Sequence, residues 1–113
     1  MKTNTVLGAA LVVALLASSA PVILPLLHVG LGALAFVLAV AYAYTGRRFR
    51  PALALGILLA VLTGLQGALG LALLGQAEQA VAAVHLYGGY ATSLIGLVGV
   101  ILVGRAESRA QGR

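Results

Sequence analysis

Polar residues along this chain fall in short clusters, and four long apolar stretches run between them. The stretches cover about residues 5–20, 22–44, 51–74 and 81–103, followed by a polar tail at 105–113. A helix needs roughly 20 apolar residues to cross the hydrocarbon of a bilayer, and the last three stretches reach that length. The first is shorter, and Pro21 and Pro25 leave its far end loosely defined. No stretch alternates with the period of two that a half-buried strand requires. In lipid only helices and closed barrels satisfy the backbone, so the pattern predicts helices. The connections at 21–25, 45–50 and 75–80 are short, which makes successive helices antiparallel neighbours. Pro51 suits the first turn of the third helix, where a missing N–H leaves nothing unpaired. The expected fold is all-α: one domain, a membrane-spanning antiparallel four-helix bundle.

Composition strengthens this reading. Of the 113 residues 62% are hydrophobic and 8% charged, against about 25% charged in soluble proteins. So few charges cannot cover a water-exposed surface, and lipid is the expected solvent. The net charge of +5 does not point to nucleic acid. Lys2, Arg47, Arg48, Arg50, Arg105, Arg109 and Arg113 sit only in segments that flank apolar runs. In an up-down-up-down bundle these segments share one end, and the positive-inside rule places that end, with both termini, in the cytoplasm of a multi-pass cell-membrane protein. Residues 1–20 also resemble a secretory signal, with Lys2, an apolar stretch and the small residues Ala17-Ser18-Ser19-Ala20. Pro21 directly after that site favours a retained helix. Cysteine is absent, which removes disulfides and thiolate ligands from consideration.

The chain reads as two copies of one helical hairpin. Thr5-Val6-Leu7-Gly8-Ala9-Ala10-Leu11 precedes His28, and Thr63-Gly64-Leu65-Gln66-Gly67-Ala68-Leu69 precedes His85, with spacings that differ by one residue. His28 is followed by Gly32 and His85 by Gly89, and each half closes on Gly-Arg, at 46–47 and 104–105. Such parallel repeats are related by an axis along the membrane normal. That symmetry puts His28 and His85 at similar depth, one to two turns inside the outer ends of alternating helices.

An ionisable side chain inside a membrane faces the bundle interior and marks a functional site by default. Two histidines without carboxylate or thiolate partners cannot close a tetrahedral zinc site. They can fill both axial positions of a haem, whose macrocycle supplies the other four nitrogens, and bundle cores hold such cofactors between facing helices. Gly32, Gly67, Gly70 and Gly89 lie beside the histidines, where a flat macrocycle needs small side chains. Ordinary small-residue packing explains Gly96 and Gly99 further in. Gln66 can hydrogen-bond an imidazole or a haem substituent, or another helix. Ser18, Ser19, Gln76 and Gln79 are the donors available to haem propionates, because no basic residue lies at that end. Tyr42, Tyr44, Tyr87 and Tyr90 fit the aromatic belts of a membrane protein. A proton relay would recruit an intramembrane acid, and the helices carry none.

The run from Thr63 to Gly70, followed by an outer loop and His85-Leu86, resembles the haem A synthase family. Members resemble two fused four-helix bundles, with histidines of the second and fourth helices facing one haem and a Gln-Gly-x-Leu-Gly-like signature on the third. His28 and His85 match those histidines, and Gln66, Gly67, Leu69 and Gly70 match the signature. The likeness covers nearly the whole chain but one half of a typical member. The family's catalytic half has a long first outer loop with a functional glutamate and often a cysteine pair. Here that loop is almost absent, and Glu78 lies in the other outer loop. The resemblance therefore implies the cofactor-holding half.

The leading expectation is a b-type cytochrome with one haem b per chain, bound by His28 and His85 near the outer face. Its electron partners would be quinol or an extracytoplasmic redox protein, with respiratory-complex subunits or a second copy as possible neighbours. The alternatives are a compact haem A synthase-like oxidoreductase working as a homodimer, and a haem-free structural or assembly subunit.

Overall fold

The computed structural model describes residues 2–19, 25–75 and 78–112. They form four helices and no strand: α1 Lys2–Ser18, α2 Pro25–Thr45, α3 Arg50–Leu74 and α4 Gln79–Gln111. The helices pack as a closed square. α1 touches α2 and α4, and α3 touches α2 and α4, so α1 faces α3, and α2 faces α4, across the diagonals. The bundle measures 54 × 22 × 19 Å.

α2, α3 and α4 are long and apolar enough to cross a membrane. The 17 residues of α1 extend about 25 Å, short of the ~30 Å hydrocarbon thickness. α2 is described from Pro25, and residues 20–24, where the first connection and the start of the second apolar stretch were expected, lie outside the described residues. The larger departure is α4. Its apolar stretch was expected to end near residue 103 and give way to a tail. Instead the helix continues to Gln111. The reason is local: Arg105, Ala106, Glu107, Arg109, Ala110 and Gln111 are good helix formers, and a helix leaving lipid needs no apolar side chains to persist.

The two hairpins agree best in their second helices, where the His-to-Gly-Arg spacings are nearly equal. Their first helices differ. Thr5 is exposed in the opening turn of α1, whereas Thr63 is buried halfway along the 25-residue α3. The matched threonines therefore occupy different depths, because α1 begins only three residues before its threonine and α3 begins 13 before its own.

Packing is concentrated at the end where the arginines lie, the basic end. Ala35, Ala39 and Ala43, spaced by four, give α2 a flat strip on which α3 lies. A methyl group on Gly56 would stand 2.6 Å from the Ala43 backbone, so only glycine permits this approach. Larger side chains fill gaps left by glycine on neighbouring helices: Leu15 over Gly96, Leu55 over Gly99, and Tyr42 over Gly8. Leu11 and Leu59 are fully buried among them. Tyr42, expected in an aromatic belt, is a core residue with 2% exposure, because Gly8 leaves room for its ring. Tyr44, Tyr87 and Tyr90 are exposed, as a belt requires. The Arg47 guanidinium lies 4.2 Å from the centre of the Tyr44 ring. At the tight turn between α2 and α3, Gly46 sits where a Cβ would strike Ala52 and crowd Asn4, whose buried side chain accepts a hydrogen bond from Thr45.

Candidate functional site

The opposite end is built differently. Among the described residues, none of α2 before Ala35, of α3 beyond Thr63 or of α4 before Thr92 is buried. The Thr63 hydroxyl donates to the Leu59 carbonyl at 2.7 Å, and the Thr92 hydroxyl to the Gly88 carbonyl at 2.7 Å. Both polar groups are thereby satisfied within their own helices at the edge of the packed half.

α1 stops at this boundary. The Ser18 hydroxyl donates to the Leu15 carbonyl, the Ser19 and Ser93 hydroxyls lie 2.6 Å apart, and Ser93 also donates to the Leu15 carbonyl. These serines were expected as donors for haem propionates. They are instead engaged in ending α1 and fixing it to α4, about two helical turns below His85. Gln79 is exposed at the start of α4, and Gln76 lies outside the described residues. Above Ser93 the described wall of the bundle consists of α2, α3 and α4.

Within this three-helix layer the two histidines meet. His28 on α2 and His85 on α4 approach across a diagonal of the bundle, with ring centres 6.0 Å apart and ring planes perpendicular. Both rings are half-buried. His85 lies over Gly70 of α3, where an added Cβ would be 3.3 Å from its Cε1 and 3.6 Å from its Nε2. One turn inward, the Gln66 amide crosses from α3 onto α4 and occupies the space that a side chain at Gly88 would fill. Its oxygen lies 3.8 Å from where a Cβ on Gly89 would stand. His85 Nδ1 and Gln66 Oε1 are both buried without a hydrogen-bond partner.

The expected site residues thus fall into two groups. His28, His85, Gln66, Gly70 and Gly89 come together. Gly32 and Gly67 do not touch them, and a Cβ at either would meet nothing within 4 Å. Gly88 joins the first group, as the surface on which Gln66 rests. Its signal was present in the sequence as the first glycine of the Gly88-Gly89 pair, one turn after His85.

Among the described residues no three metal-binding side chains converge, so a cage of protein ligands alone is not formed there. A macrocycle with four nitrogens needs only two more ligands. Imidazoles bound to opposite sides of one metal ion, each through a bond of about 2 Å, place their ring centres ~6 Å apart. The observed separation, the close approach of His85 to Gly70 and the two unpartnered polar atoms are compatible with such a group. The chain matches no protein-family model, no curated protein and no solved structure.

Proposed function

We propose that the chain is an integral membrane b-type cytochrome that holds one haem between His28 and His85 and carries electrons. The observation that supports this reading most is the pair of perpendicular imidazoles 6.0 Å apart on diagonal helices. Held by His28 and His85, a haem b would supply a one-electron couple suited to electron transfer. The chain's own part is to bring the two imidazoles together across the bundle. Gly70 lets His85 lie close against α3. Gln66 offers an unpartnered amide oxygen one turn below, suited to receive an imidazole N–H and so fix the ring tautomer.

In this reading the basic end faces the cytoplasm, following the positive-inside rule, and both chain ends lie there. The histidine layer then sits near the outer face, where quinol in the membrane or an extracytoplasmic redox protein would exchange electrons with it. Purified from haem-replete cells, the protein should give a reduced-minus-oxidised spectrum with the sharp bands of low-spin haem b. A featureless spectrum would reject the proposal in favour of a haem-free structural or assembly subunit.

A second reading is favoured by one observation. Gly70, a residue of the signature that resembles haem A synthases, lies against His85, and Gln66, another, reaches onto α4 one turn away at Gly88. A compact enzyme of that kind, with one bundle of a homodimer holding substrate and the other cofactor, would produce haem A when coexpressed with a haem O-forming system. Pigment extraction that yields only haem O and haem B would exclude it.

A further inference from the structure

The weakest side of the bundle is the seam between α1 and α4, where a groove of about 930 Å³ opens to the surroundings. Its floor and walls are apolar, formed by Val12 and Val13 of α1 and Leu97 and Ile101 of α4. Val13 is 66% exposed and Ile101 46%, so none of the described helices covers the groove. At the basic end the lining changes to Thr5, Arg105, Ser108 and Arg109. Arg105 and Arg109 are four residues apart and project from one face of α4, the face that Ser108 shares. Glu107, the only acid near this end, turns the other way, into a recess with Thr45, Arg48 and Phe49.

The extension of α4 to Gln111 creates this arrangement. Had the chain frayed after residue 103, the arginines would have no fixed place above the groove. Held on a helix, they stand at the polar mouth of an apolar channel that runs along the membrane-crossing direction.

The geometry points to a binding site for one anionic phospholipid, its phosphate held by Arg105 and Arg109 and one acyl chain lying in the α1–α4 groove. Charge selects the occupant. A zwitterionic lipid presents an ammonium as well as a phosphate to two uncompensated arginines, while an anionic headgroup presents the phosphate alone. Basic recesses between membrane helices hold anionic headgroups for this reason. Thr5 and Ser108 can donate hydrogen bonds to the remaining phosphate oxygens. The site lies at the opposite end from the histidines and does not depend on whether they bind haem.

The test is native mass spectrometry of the detergent-purified full chain with equimolar phosphatidylglycerol and phosphatidylcholine of matched acyl chains. About fivefold preference for each arginine, roughly 30-fold together, is expected for phosphatidylglycerol. The double variant Arg105→Gln/Arg109→Gln should bring the two lipids near parity. Arg47→Gln/Arg48→Gln, which removes the same charge from the α2–α3 turn, should leave the preference unchanged. Val13→Trp, which fills the groove, should weaken retention of both lipids. Helix content by circular dichroism identifies any variant that fails to fold. The site would be overturned by equal retention in the parent chain, by preference that survives the double variant, or by an equal drop in the control pair. Displacement of the lipid by excess inorganic phosphate, or a lipid-free dimer as the dominant species, would do the same.

Discussion

Gly56 and Gly67 lie three turns apart on the same helix and meet opposite surroundings. A methyl on the first would collide with the backbone of α2, while a methyl on the second would meet nothing within 4 Å. That contrast holds for the two halves of the bundle. At the basic end, alanine strips and glycine notches bring four helices into close contact, and Leu11, Leu59 and Tyr42 are buried between them. At the histidine end, α1 is missing from the described wall, none of the described residues is buried, and two imidazoles and an amide oxygen are gathered instead. In lipid, helix association rests on packing rather than on removal of apolar surface from water. Stability therefore resides in the half with the contacts.

The contrast can be broken by three substitutions. Gly56→Ala should have the largest effect, about 2–3 kcal/mol of lost stability, because the clash is with backbone that cannot move aside. Unfolding of the purified chain by titration with a denaturing detergent measures it. Ser93→Ala should cost about 0.5–1 kcal/mol in the same titration, since it removes the hydrogen bonds that fix the end of α1 to α4. Gly67→Ala should change stability by less than about 0.5 kcal/mol, with alanine's better helix propensity working in its favour. If Gly56→Ala and Gly67→Ala proved equally damaging, the division into a packed half and an open half would be wrong.

The four helices were legible because apolar runs of about twenty residues have few other outcomes in a chain this poor in charge. The two histidines were legible because intramembrane ionisable groups are rare, and matched spacing marked them as a pair. What escaped the sequence was governed by neighbours in space. Tyr42 reads as a belt residue until Gly8 of another helix is seen to receive it. Ser18 and Ser19 read as free donors until Leu15 and Ser93 are seen to engage them. The reach of the Gln66 amide from α3 onto Gly88 and Gly89 of α4 depends likewise on neighbours in space. The continuation of α4 was missed because hydropathy marks where lipid ends, whereas helix propensity decides where the helix ends.

The most direct test of the histidine layer is haem stoichiometry and spin state in the parent chain and in His28→Ala and His85→Ala, each purified from haem-replete cells. The expected result is one low-spin haem b per parent chain, with the low-spin signature lost in either variant while helix content and detergent resistance stay near parental values. A parent chain without haem, or low-spin haem that survives in both single variants, would contradict the assignment.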